Sequence, residues 1–156
     1  KTNDYQRIHP RNKVPALEID GDVLWESGAA LMYLAEREQA LWPKNTFDAL
    51  NLLFMESSIF QDLAGIHFYQ KQIKPRIGRQ TNPNAIEEAN HKLHTLYQIL
   101  DDQIADQEYL CGEFSIVDCA YAPWLPVLDL QDWPRLMKWR SRIIQRTAWR
   151  ACHFCY

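Results

Sequence analysis

The chain has 156 residues, of which 47% are hydrophobic and 24% charged, with a formal net charge of −3. These proportions are those of an ordinary soluble globular protein and exclude a disordered one, and the acidic balance supplies no overall basic field for nucleic acid. No apolar run is long enough to span a membrane, and Lys1 to Arg7 have no signal-peptide pattern, so a cytoplasmic location is expected.

In chain order, Ala16-Leu17-Glu18-Ile19 and Val23-Leu24-Trp25 are short apolar-rich runs flanking Asp20-Gly21-Asp22, which predicts a tight β-hairpin. A helix is expected from about Ser27 to Glu36, with Ala30, Leu31, Leu34 and Ala35 at helical spacing. The character changes at Leu41-Trp42-Pro43-Lys44-Asn45, after which strand signals stop. Thr46 to about Ile73 reads as one long helix with Leu50, Leu53, Phe54, Ile59, Phe60 and Leu63 on a wide apolar stripe. Pro75, Gly78 and Asn82-Pro83 break it. A second helix is expected over about Asn84 to Gln107, burying Ala89, Leu93, Leu96, Leu100 and Ile104. Ser115 and Asp118 have capping-box spacing and introduce the most apolar helix, Ile116 to about Leu128, which Pro123 and Pro126 should kink or end. A last helix, Pro134 to Gln145, starts with proline in its first turn.

The expected class is therefore α+β, with domains at 1–40 and 46–156 joined by a linker at 41–45. An isolated hairpin with one helix is marginal in water. Because the sequence starts at Lys1 and not at Met, a preceding βαβ segment is expected upstream.

Arg11-Asn12-Lys13-Val14-Pro15-Ala16-Leu17, then Asp20-Gly21, then Glu26-Ser27-Gly28-Ala29-Ala30 and Tyr33-Leu34, followed far downstream by Tyr109-Leu110-Cys111-Gly112-Glu113-Phe114-Ser115-Ile116-Val117-Asp118, form an ordered pattern. It resembles that of cytosolic glutathione transferases across nearly the whole chain. The resemblance implies an incomplete thioredoxin-like glutathione-binding domain followed by an all-helical bundle, with glutathione as co-substrate, an electrophilic apolar substrate and a homodimeric state. Val14-Pro15 resembles the family's cis-proline step, where the Val14 backbone would pair with the cysteinyl unit of glutathione, the alternative being a simple trans strand start. At Glu26-Ser27, a helix start offers free amides and a positive dipole end to the γ-glutamyl carboxylate, the Ser27 hydroxyl adds a donor, and the Glu26 carboxylate faces the ammonium. The plainer alternative is a helix start that Ser27 merely caps. Lys13 is a candidate partner for the glycine carboxylate, with an ordinary exposed lysine as the alternative. His9 and Asn12 stand where the family often has Asn and Gly, and Asn tolerates the left-handed turn this requires.

The family's thiol-activating Tyr, Ser or Cys is expected upstream of Lys1, because Tyr5 lies too close to the Val-Pro step to be that residue. Phe60 and Phe68 are candidates for a substrate pocket, with bundle core as the alternative. Ser115 and Asp118 are read as folding determinants. No metal is expected, since His91 and His94 lack acidic partners at ligand spacing. Cys152 and Cys155 match C-x-x-C but lack the strand-to-helix context that activates a thiol. Two other functions remain open. One is a non-catalytic interaction domain, whose basic run Arg135, Lys138, Arg140, Arg142, Arg146 and Arg150 would meet an acidic partner, although a solvated helix face is the favoured reading of that run and nucleic acid is not the expected partner. The other is a glutathione-dependent isomerase, dehalogenase or disulfide reductase.

Overall fold

The computed structural model describes residues 3–152. Cys155 therefore lies outside the described residues. Two compact units follow one another, the first ending at Trp42 and the second beginning at Pro43.

The first unit opens with helix α1 (Asn3–Ile8), which the sequence reading missed. Strands β1 (Ala16–Ile19) and β2 (Asp22–Trp25) pair antiparallel, with Ala16 opposite Trp25 and Ile19 opposite Asp22. The loop between them is only Asp20-Gly21, with φ of 53° and 91°. Two successive left-handed residues have the twist that closes a two-residue hairpin, which is why Asp-Gly occurs there. Helix α2 (Ser27–Arg37) follows at once.

In the second unit the expected first long helix is interrupted twice. Helix α3 (Thr46–Met55) gives way to a π turn at Glu56–Phe60, then α4 (Gln61–Phe68), a second π turn at Tyr69–Ile73 and the short α5 (Lys74–Arg76). Asn45 caps α3 by accepting the Asp48 amide at 3.3 Å. Pro75 does not stop the run; it is absorbed just after the π turn. The stop comes at Gly78, whose φ of 70° lets Arg79 N donate to Lys74 O at 2.8 Å and Gly78 N to Pro75 O at 3.2 Å, a Schellman closure. The predicted apolar stripe is only partly the buried face. Leu53, Phe60 and Leu63 are buried, together with Ala49, Leu52 and Ala64, but Phe54 is 65% and Ile59 45% exposed. The apolar arc is wider than the face this unit covers.

Helix α6 (Pro83–Ile104) buries Ala89, Leu93, Leu96, Leu100 and Ile104 as predicted, and ends three residues before the expected Gln107. Helix α7 (Ile116–Tyr121) stops earlier than expected because Pro123 turns the chain into a 3-10 segment, Ala122–Trp124. Leu125, Val127 and Leu128 are nevertheless buried. Helix α8 (Pro134–Gln145) has the predicted bounds, and an unforeseen α9 (Thr147–Ala151) follows.

Candidate functional site

The loop before β1 is pinned from two sides. His9 is 1% exposed and stacks between Tyr5 and Trp25, with ring centroids 6.4 Å and 5.3 Å away. The Trp25 indole donates to Ile8 O at 2.7 Å, and the Tyr5 hydroxyl donates to Lys13 O at 2.6 Å. The turn between these anchors is closed by Asn12 N donating to His9 O at 2.7 Å, with Asn12 at φ 53°. Asparagine thus takes the left-handed position usually given to glycine, and His9 is a packing residue. Val14-Pro15 is cis, as the sequence resemblance implied, and Val14 is 72% exposed.

The hairpin register brings the two halves of the sequence motif together. Lys13-Val14-Pro15 leads into Ala16, Glu26-Ser27 leaves Trp25, and Ala16 faces Trp25 across the ladder. Ser27 is the first residue of α2 and not its cap. The cap position belongs to Glu26, whose side chain makes no capping bond and whose backbone lies at φ 68°, ψ 128°. A non-glycine residue at such a φ costs on the order of 1–3 kcal/mol, and strain of this kind concentrates at ligand sites. No acidic side chain lies in the first turn of α2, so its leading amides have no anionic side chain of their own to meet.

One contact at this edge was not foreseen. Arg11 Nη1 donates to Glu26 Oε1 at 2.9 Å, with both side chains largely exposed. The partners are 15 residues apart, so no local sequence pattern could have announced the pair. Lys13 is also exposed.

The remaining sequence candidates resolve into structure. Phe60 has no exposed surface and sits edge-on to Tyr121 and Tyr97, with centroids 4.8 Å and 6.3 Å away. A ring with no free face cannot line a pocket, so the expectation that Phe60 contacts substrate gives way to core packing. Phe68 is half-buried. Ser115 and Asp118 form the expected capping box, and Asp118 also accepts from Leu110 N and the Trp139 indole. Burial pushes the Cys111 thiol up to about 12 and raises that of Cys119, so neither supplies a thiolate at neutral pH. In the C-terminal basic run, Arg135 pairs with Asp101 at 2.9 Å, Arg142 donates to Glu108 O at 3.0 Å, and Arg146 lies 3.5 Å from the centre of the Phe114 ring. Half of that run is thus spent on contacts within the helical unit.

The family models for the N-terminal and C-terminal domains of glutathione S-transferase match residues 1–36 and 83–151. The chain is 32% identical to disulfide-bond oxidoreductase YfcG of Escherichia coli strain K12, over 93% of its own length and 73% of that protein. It belongs to the glutathione S-transferase family. Among solved structures, glutathione S-transferase III in its apo form superposes with a TM-score of 0.87 at 24% identity, covering 96% of this chain and 76% of the other. A sphingomonad glutathione S-transferase complexed with glutathione gives 0.75 at 26% identity, with 96% and 76% covered. Within the family frame, the two motif halves joined by the hairpin register are the family's N-terminal-domain residues, and the capped α7 belongs to its C-terminal domain.

Proposed function

We infer that this family member binds glutathione at the edge formed by Lys13, Val14, Pro15, Glu26 and Ser27, and that its thiolate is transferred to an electrophilic carbon of an apolar substrate. The observation that carries the reading is the register that sets Ala16, which follows Pro15, opposite Trp25, which precedes Glu26 and an uncapped helix start. An extended peptide would pair with the exposed Val14 backbone. Its γ-glutamyl carboxylate would meet the leading amides of α2 and the Ser27 hydroxyl, its ammonium Glu26, and its glycine carboxylate Lys13. In the transfer, the sulfur lone pair forms the new C–S bond while the leaving group departs with its electron pair. A complex of glutathione with a sphingomonad relative of the same fold supports the choice of ligand.

Replacing Ser27 with alanine tests the assignment by titration calorimetry. A hydrogen bond to a charged group contributes about 1.5–3 kcal/mol, so glutathione affinity is expected to fall between about tenfold and 150-fold. Unchanged affinity in a folded variant rejects the site.

Disulfide reduction is the second reading, favoured by the name of the E. coli relative. Burial pushes the Cys111 and Cys119 thiols up, so in that reaction glutathione's sulfur, and not either of these two, would be the reductant. Self-association as a two-fold dimer belongs to the same proposal, and Phe47 and Phe54, 82% and 65% exposed on α3, are apolar surface that a second copy would cover. Sedimentation equilibrium at micromolar concentration should show a dimer that Phe54→Glu weakens; a monomeric parent chain rejects it.

A further inference from the structure

We propose that Arg11 is a positioning residue for ammonium recognition: it holds the Glu26 carboxylate at the start of α2 so that the second carboxylate oxygen faces the amino group of the ligand. The proposal rests on the reading of this edge as the glutathione site. Arg11 lies in the pinned turn between His9 and Lys13, and its Nη1 reaches Glu26 Oε1 at 2.9 Å. That bond uses one oxygen of the carboxylate, Glu26 Oε1. A carboxylate accepts at both oxygens, so the pair leaves one acceptor open.

Three features make this contact a positioning device. Glu26 is exposed over 61% of its side chain, and a free carboxylate on such a surface samples several rotamers, each of which must be given up on binding. The backbone of Glu26 is already fixed in a left-handed conformation, so the Arg11 contact restrains what freedom is left. The Arg11 side of the contact is itself restrained, because the Asn12 turn and the Tyr5 bond to Lys13 O hold the loop from which it projects. A planar guanidinium is pre-organised for such contacts and loses less entropy per bond than an ammonium on a flexible stem. The pair is worth little as a contribution to folding, since water and salt screen an ion pair this exposed. Its consequence is therefore read in ligand discrimination and not in stability.

The opposite behaviour is also physically defined. If the guanidinium neutralised Glu26, removing it would free the carboxylate and tighten ammonium binding. Calorimetric titration of the full chain and of Arg11→Met with glutathione and with desamino-glutathione, which lacks the ammonium, separates the two. Arg11→Met is expected to weaken glutathione by about fivefold and to leave desamino-glutathione within about twofold, the scatter found between groups that do not interact. The loss should shrink at 0.5 M salt, where exposed charges are screened, and Arg11→Lys should recover only part of it. Tighter glutathione binding by Arg11→Met, an equal loss for both ligands, or no change for either overturns the proposal. Failure of the parent chain to bind either ligand would instead reject the glutathione site itself.

Discussion

Replacing Asp118 with alanine is expected to remove at least about 4 kcal/mol of folding stability, because four buried donors lose an acceptor at about 1–3 kcal/mol each. Asp118 is fully buried. Its Oδ1 accepts from Leu110 N at 3.1 Å and the Trp139 indole at 2.8 Å, and its Oδ2 accepts from Ser115 N at 2.9 Å and the Ser115 hydroxyl at 3.2 Å. The carboxylate thus ties the start of α7 to α8 and to the turn that precedes both. Against a typical total of about 5–15 kcal/mol, a loss of that size is a large fraction of the whole. Asp118→Asn should cost less, since one carbonyl oxygen remains while the amide group opposes the Ser115 donors.

Burial raises the carboxyl of Asp118 above its ordinary range, with the four hydrogen bonds pulling the other way. The folded state then holds this proton more tightly than the unfolded state. Stability contributed by the group is full below the unfolded value and is lost as pH rises through the folded one. Urea unfolding of the parent and both variants checks the argument. An alanine variant within about 1 kcal/mol of the parent, the ordinary size of a point-mutation effect, would show that water or a neighbouring group takes over the donors.

Asp118 also marks the limit of what the sequence discloses. Ser115 and Asp118 are three residues apart, so the cap is a local pattern and was legible. The bonds from Leu110 and Trp139 come from 8 and 21 residues away and depend on how the chain folds back. The same division holds at the candidate site. Asp20-Gly21 dictates a two-residue turn, and with the alternating apolar runs beside it that turn fixes the register that sets Ala16 opposite Trp25. Recognising the site as one edge therefore needed only local information. The Arg11 contact and the left-handed Glu26 backbone needed the fold, because neither follows from residue type: arginine has no preferred partner in sequence, and glutamate ordinarily avoids a positive φ. The two π turns escaped for a third reason. They keep an uninterrupted helical run and alter only its hydrogen-bond spacing, so periodicity registers a single helix.

Phe60→Ala is the second large effect and distinguishes packing from substrate contact in the helical unit. The ring has no exposed surface and lies edge-on to Tyr121 at 4.8 Å with an interplanar angle of 74°, and Tyr121 is anchored by its hydroxyl donating to Leu52 O at 2.9 Å. With Tyr121 fixed, the site has limited freedom to collapse around a lost ring, so the alanine variant should keep most of the cavity. Phenylalanine-to-alanine changes in such cores cost about 3–5 kcal/mol. For a chain of this size that lowers the melting temperature by roughly 6–20 °C. Phe60→Leu fills much of the space and should recover more than half of the loss. If Phe60 instead contacted substrate, alanine would raise KM for an apolar electrophile while moving the melting temperature by no more than about 2–4 °C, the shift that accompanies 1 kcal/mol. Thermal unfolding without substrate decides between them, because core packing is lost whether or not a ligand is present and a pocket contact is felt only when one is bound.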